Sequence, residues 1–482
     1  MSTVAAGLGN LDGDATGSTE AVSLRASSVV RTDGPLLADA AERATRYLRG
    51  LDARSVKPTA DAVAALAALD VPLSAQGRDP HAVIAELDTI GSPATVAMAG
   101  PRFYGFVIGG AVPVSLAANW LAGAWDQNAA YFSSTPSAAA FEAVALKWTL
   151  DLLGLPATAA GGFVTGATTA NACALAAARH SVLARAGWNV EADGLIGSPN
   201  VTVIVGNEVH PSVSKSLGFL GLGRSRVHKV PVDDQGRMRV ELVPAITGPT
   251  IICAQSGNVN TGAFDDVGAL CERVKGTGAW VHVDGAFGLW AAASPTLRAH
   301  TRGLEAADSW ATDFHKWLNV PYDSGIAIVR DGHAMQAALA VTAEYLPTER
   351  EHRNPADFTP ELSRRARGVD VWAALSALGR DGVASLVERC CRHARRFAEG
   401  LSAAGHEILN EVVLNQVLVS FGDAATTQRV IAAIQAEGTS WAGITVWQGR
   451  TAMRISVSSW ATTEDDVELS LAAMIRVARS TV

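Results

Sequence analysis

Long uninterrupted apolar runs are missing from this chain: no stretch of about twenty residues escapes a polar or charged side chain, so no membrane span is expected. The Ala-rich run at 62–68 comes nearest, and Asp70 and Pro72 end it. The N-terminus lacks the positive region, apolar core and cleavage site of a secretory signal. Basic clusters are missing too, and the formal net charge of −8 repels nucleic acid and anionic membranes. Cysteine is scarce. Cys173, Cys253, Cys271, Cys390 and Cys391 form no CxxC pair and are odd in number, so neither a disulfide framework nor a metal cluster is suggested. A reducing, cytoplasmic setting is expected.

What is present suits a large enzyme. The chain has 482 residues, 48% apolar and 18% charged, which is enough for two or more domains. Residues 1–35 are rich in Gly, Ala, Ser and Thr without periodicity and read as a flexible leader. Residues 36–100 read as a helical arm: Leu36, Leu37, Ala40 and Ala44 share one face, and prolines 58, 72, 80 and 93 separate the later segments. Between 101 and 370 helix and strand alternate. Helices are expected at 137–153 and 168–186, and β-branched runs at 201–205, 250–253, 280–283 and 325–329. Near-continuous apolar strands between helices indicate a buried, mostly parallel sheet. Residues 371–482 read as a smaller α+β domain, with helices at 371–401, 426–436 and 464–478 and strands at 412–421 and 445–458.

Four segments carry chemistry. Trp280-Val-His-Val-Asp284-Gly-Ala286 ends an apolar strand in a carboxylate, where open parallel sheets bind ligands; a turn-forming Asp before Gly is the competing reading. Asp313-Phe-His315-Lys316-Trp317 sets an amine beside an aromatic ring, which suits a desolvated nucleophile and equally a snorkelling surface lysine. Val164-Thr-Gly166-Ala167-Thr168-Thr169-Ala-Asn171 runs from strand through small residues into a helix N-terminus, either an anion cradle or an ordinary Thr-capped helix. His210-Pro-Ser212 lies on a post-strand loop, where a histidine can stack on a planar ligand or have no role. Together they supply a phosphate anchor, a ring stacker, an acid partner and a Schiff-base lysine, the set that pyridoxal 5′-phosphate requires.

With these segments and with Pro101-Arg-Phe103-Tyr104-Gly-Phe and Arg364-Arg-Ala-Arg367-Gly-Val-Asp370-Val-Trp372, the chain resembles the group II pyridoxal-phosphate-dependent amino acid decarboxylases from about residue 100 onward. The resemblance implies an α/β fold of fold type I, aspartate-aminotransferase-like: a mostly parallel seven-stranded sheet, the N-terminal helical arm and a small C-terminal α+β domain. It implies that Lys316 holds the cofactor as a Schiff base, that Asp284 keeps the pyridine nitrogen protonated, and that Ala286 and His210 cover the two faces of the ring. Gly166, Ala167, Thr168 and Thr169 would bind the phosphate, with Asp313 and His315 beside them. Phe103 and Tyr104 would line the substrate pocket. Residues 126–134 are similar to a segment that reaches the neighbouring subunit, implying a homodimer with shared active sites.

The implied reaction is α-decarboxylation of an L-amino acid. One departure is visible. The stretch 346–367, which resembles the family's mobile loop, has no tyrosine to protonate Cα; Tyr345 stands at its start and His352 within it. Oxidative aldehyde synthesis therefore remains an alternative, with transamination, carbon–carbon cleavage and an inactive scaffold behind it. Arg454 can pair with a substrate carboxylate, as an arginine does in aminotransferases of this fold, or form a structural ion pair.

Overall fold

The computed structural model describes residues 33–341 and 352–481. The arm comprises α1 (Asp33–Arg49), α2 (Ala60–Ala65), α3 (Pro80–Glu86) and α4 (Ser92–Ala94). Most of the expected leader lies outside the described residues, but Asp33, Gly34 and Pro35 already belong to α1. Thr59 and Asp79 cap α2 and α3 by accepting from Ala62 N and Ala82 N, and Arg43 and Arg46 of α1 pair with Asp88.

The large domain runs α5 (Pro113–Trp125), α6 (Pro136–Leu152), β1 (Ala160–Val164), α7 (Ala167–Arg185), α8 (Val190–Asp193), β2 (Thr202–Gly206), α9 (Pro211–Phe219), β3 (His228–Val230), β4 (Thr250–Gln255), α10 (Val267–Arg273), β5 (Trp280–Asp284), β6 (Ser309–Asp313), β7 (Gly325–Val329) and α11 (Gly332–Leu339). Its seven strands form one sheet in the order β1-β7-β6-β5-β4-β2-β3, in which only β7 runs against its neighbours. The strand period of two divides the side chains between two apolar layers. Ile204, Ile252, Val281, Val283 and Trp310 enter one, and Val203, Val205, Ile251, Cys253 and Trp280 the other. The second layer includes the alanines of α7, whose small side chains let the helix lie close to the sheet.

The small domain follows as α12 (Arg367–Ala403), β8 (Glu407–Ile408), β9 (Gln416–Ser420), α13 (Ala424–Glu437), β10 (Gly443–Trp447), β11 (Arg450–Ser456) and α14 (Glu464–Thr481), with a four-stranded antiparallel sheet β10-β11-β9-β8. Helix α12 straddles the boundary expected at 370 and breaks at Gly379, whose φ of 60° lies in the left-handed region.

The structure corrects several expectations. The single strand expected at 445–458 is a hairpin, because Gln448 (φ 46°) and Gly449 (φ 79°) turn the chain between β10 and β11. Strands β3 and β6 have no apolar run to announce them: β3 is three residues long, and β6 reads Ser-Trp-Ala-Thr-Asp. The remaining helices and strands that were expected lie within a few residues of observed ones, while α5, α8 to α11 and β8 have no expected counterpart. Among the described residues no helix is long and apolar enough to cross a membrane.

Candidate active site

The strand ends converge on one buried centre. Lys316 follows β6, and its Nζ stands 2.9 Å from Oδ2 of Asp313, the last residue of that strand. Oδ1 of Asp313 accepts from Ala167 N at 2.5 Å, so one carboxylate ties the lysine segment to the first turn of α7. A Cβ on Gly166 would meet His315 Cε1 at 2.9 Å and Asp313 Oδ1 at 3.2 Å, so only glycine lets the chain lie this close. The first-turn N–H groups of α7 at Thr168 and Thr169 have no acceptor within the helix, which leaves an anion cradle at its positive end. The Thr165 and Thr169 hydroxyls are hydrogen-bonded at 2.9 Å.

His315 Nδ1 accepts from Ser324 N at 3.1 Å, so the neutral ring carries its proton on Nε2. Burial pushes this histidine below its usual range. Its ring stacks on Tyr322 with centroids 4.2 Å apart, and the neighbouring Asp323 is held by Arg367 at 2.9 Å. Burial pushes the Tyr322 phenol up to about 12, so it is protonated at neutral pH.

On the other side, β5 ends at Asp284, which is 5% exposed. Its Oδ2 accepts from Asn171 Nδ2 at 3.1 Å and its Oδ1 from Ala286 N at 3.2 Å, while the Ser212 hydroxyl, 3.3 Å from Oδ2, lies closer to His210 Nδ1, at 2.7 Å, and gives its one proton there. His210 caps α9: its Nδ1 accepts from Ser212 N at 3.2 Å, which leaves the neutral ring's proton on Nε2. Burial dominates in lowering the affinity of His210 for a second proton, and the charges it senses are Asp284, Lys316, Arg454 and Asp313. These groups therefore share one neighbourhood.

Arg454, on β11 of the small domain, lies near enough for its charge to be felt at His210. Its Nη1 donates to Val259 O at 3.1 Å. Burial alone lowers the guanidinium from its ordinary value, with no carboxylate opposing the effect.

The fit to pyridoxal 5′-phosphate can be judged from these groups. A phosphate needs the N-terminal cradle at Gly166 to Thr169. A protonated pyridine needs a buried anion, and Asp284 has no cation within ion-pair distance among the described residues. An aldehyde needs an amine, and Lys316 projects into the same centre. The residues fit the group.

Lys316, Asp313, His315, Gly166, Ala167, Thr168, Thr169, His210, Asp284 and Ala286 are thus brought together, the last linked by its carbonyl to Asp313 N at 2.9 Å. Phe103 and Tyr104 are not. Phe103 is 1% exposed and stacks on Trp441 at 4.9 Å, while Tyr104 is fully buried, bonded to Ser470 Oγ at 3.1 Å and packed edge-on against Phe397. Both rings are packing elements between the large domain, the arm and the C-terminal helices, which corrects their expected place in a pocket wall. Asn171, Ser212 and Tyr322 had no assigned role in the sequence. The signal for Asn171 was its isolation as an amide in an Ala-rich helix.

Residues 65–422 match the pyridoxal-dependent decarboxylase conserved domain. The chain is 30% identical to the L-2,4-diaminobutyrate decarboxylase of Rhizobium meliloti (strain 1021) over 77% of its own length and 76% of that protein. It is 28% identical to tryptophan decarboxylase 1 of Oryza sativa subsp. japonica over 60% of each, so that match spans less than two thirds of the rice protein. The crystal structure of Oryza sativa TDC with PLP and tryptamine superimposes with a TM-score of 0.86 and 22% identity over 94% of this chain and 99% of that one. Rhodiola rosea 4-hydroxyphenylacetaldehyde synthase superimposes with a TM-score of 0.81 and 20% identity over 93% and 97%. At these identities the structural likeness establishes the fold of type I and nothing finer.

Proposed function

The chain belongs to the pyridoxal-dependent decarboxylase family, and from that membership we propose that it removes the α-carboxylate of an L-amino acid with pyridoxal 5′-phosphate held on Lys316. The observation that carries this is the convergence of Lys316, Asp284, His210 and the α7 N-terminus at the carboxyl ends of one sheet, with Arg454 in the same neighbourhood.

Bound there, the cofactor supplies an electron sink for the bond that breaks at Cα. The protein's own groups do the rest. The α7 N-terminus, with Thr168 and Thr169, holds the phosphate. Asp284 supplies the buried negative charge that keeps the ring nitrogen protonated, and neutral His210 covers one ring face without adding a competing cation. Asp313 fixes the Lys316 amine at the centre, where it would hold the cofactor. Arg454 binds a carboxylate of the substrate, an anion that its half-buried guanidinium does not find among the described residues.

The same reading extends to assembly. Helix α5 exposes Trp120, Leu121 and Trp125 at 44%, 56% and 41%, apolar surface that a second copy of the chain would bury. Segment 126–134 is fastened to the residues before α12: Ala129 N donates to Arg364 O at 2.9 Å and Phe132 N to Asn354 Oδ1 at 3.1 Å. Held in this way, it can present side chains to the partner's centre in a homodimer. Five free thiols, four of them buried, support a cytoplasmic, reducing location.

The product depends on which group returns a proton to Cα. Tyr345 lies outside the described residues, and the ring of His352 packs on Phe132 with centroids 3.9 Å apart. The purified holoenzyme should absorb visibly and lose that absorbance on borohydride treatment. Incubation with each common L-amino acid, followed by measurement of CO₂, amine, aldehyde, ammonia and peroxide, identifies substrate and outcome together. CO₂ with equimolar amine supports decarboxylation. No CO₂ from any amino acid overturns it.

A further inference from the structure

Behind Asp284 lies a chain of side chains without access to solvent. Trp280 is 1% exposed, and His282, Ser309 and Asn171 are fully buried. Strand geometry builds it. His282 and Asp284 are two apart on β5 and so share a face, and Ser309 on β6 is the register partner of His282. Asn171, from α7, bridges His282 to Asp284.

We propose that Trp280, Ser309, His282 and Asn171 form a one-directional hydrogen-bond relay that orients the Asp284 carboxylate for the cofactor's ring nitrogen, with Ser309, His282 and Asn171 as positioning residues. The proposal rests on the reading that Asp284 serves that nitrogen.

The direction follows from proton inventory. Trp280 Nε1 can only donate, and Ser309 Oγ receives it at 2.8 Å. At the far end an ionised Asp284 can only accept, so Asn171 turns its NH₂ to Oδ2 at 3.1 Å. Asn171 Oδ1 therefore faces His282 Nε2 at 2.9 Å and must receive a proton from it. Burial pushes His282 down to about 4, so at neutral pH the ring carries one proton, and that proton is on Nε2. Nδ1 is then an acceptor, and the Ser309 hydroxyl, 2.9 Å away, donates to it. Each donor points toward the carboxylate. Reversing the amide would set Asn171 Oδ1 against Asp284 Oδ2, acceptor to acceptor, and reversing the histidine would leave the Ser309 proton without this partner. In a low-dielectric interior such aligned bonds polarise one another, so a change two residues away is felt at Asp284.

The test isolates the ring nitrogen. The cofactor is removed from the full-length protein, and the affinities for pyridoxal 5′-phosphate and for its 1-deaza analogue, in which C–H replaces the nitrogen, are measured by fluorescence titration. Wild type should prefer the nitrogen-bearing cofactor by about tenfold or more, the worth of one charge-assisted hydrogen bond. Asn171→Ala and His282→Gln should bring that preference close to the value for Asp284→Ala, and Ser309→Ala should lower it part of the way. A structural role alone would weaken both ligands equally and leave the ratio unchanged. Ser309→Ala removes a single hydroxyl, and thermal unfolding of each variant shows which are folded for comparison. An unchanged ratio in folded Ser309→Ala and Asn171→Ala, with the ratio abolished in Asp284→Ala, overturns the relay and leaves the site reading intact. An unchanged ratio in Asp284→Ala overturns the site reading and the relay with it.

Discussion

Two buried charge clusters in this protein are assembled on different rules. Around Glu142, 1% exposed on α6, Arg364 and Arg353 approach at 2.7 and 3.0 Å, and Arg364 also donates to the carbonyls of Ala129 and Phe163. Here each cation has a carboxylate partner, both arginines sharing Glu142. Around Lys316 they do not all meet: among the described residues Asp284 is held by neutral donors, and the Arg454 guanidinium has a backbone carbonyl but no carboxylate. The first cluster is complete without a ligand and fastens segment 126–134 and the start of α12 to β1. The second leaves one negative and one positive group for a molecule that brings the complementary charges. Charge left unpaired in this way costs stability and gives binding.

The largest expected effect lies in the second cluster. Lys316→Ala should abolish the borohydride-sensitive absorbance and lower kcat by about 10³-fold or more, with little change in thermal unfolding. Rates near wild type without added amine would contradict the role given to Lys316. The first cluster should respond in the opposite sense. Glu142→Ala strands the buried Arg364 and the half-buried Arg353 and should cost about 3–5 kcal/mol in denaturant unfolding. A loss below about 1 kcal/mol would show that water reaches that cluster and would erase the contrast.

Arg454→Met offers a finer comparison. It should raise KM for the amino acid by about ten- to a hundredfold, one charge-assisted contact's worth, while the unfolding midpoint stays level or rises because an unpaired buried cation is gone. A lowered midpoint with unchanged KM would make Arg454 a structural residue.

The smallest effect is a pH slope. His282 is pushed from 6.5 to about 4 by burial, and a depressed folded-state value means that the unfolded chain takes up the proton first. The contribution of neutral, buried His282 to stability is present above about pH 6.5 and is lost as pH falls toward 4. Denaturant unfolding across that window should show the slope in wild type and a flatter one in His282→Gln. Equal slopes would mean that His282 is not the group responsible.

Part of the centre was legible from residue order because Asp284 and the 166–169 turn stand where a recognisable strand ends or a helix opens. Asp284 closes an apolar run, and Gly166 to Thr169 open an Ala-rich helix. Strand β6 was less visible because its polar residues hide a fully buried strand, whose Ser309 is bonded to His282 and Trp280 and whose Asp313 meets Ala167. The aromatic pair Phe103 and Tyr104 misled, since an aromatic beside glycine reads alike whether it lines a pocket or fills a core. Ser470 and Phe397, against which Tyr104 packs, lie roughly three hundred and more residues away in the chain.

By itself the amino-acid sequence determined the alternation of buried strands and helices and the family, and it offered Lys316 and Asp284 as candidates, because hydrophobic period and local turn chemistry are written along the chain. Only the tertiary structure decided which charges are neutralised and which stay open, where Arg454 comes to rest, and which way the protons behind Asp284 point. Those properties depend on atoms within about 3 Å of one another from distant segments, and a hydrogen bond's direction is set by both partners at once.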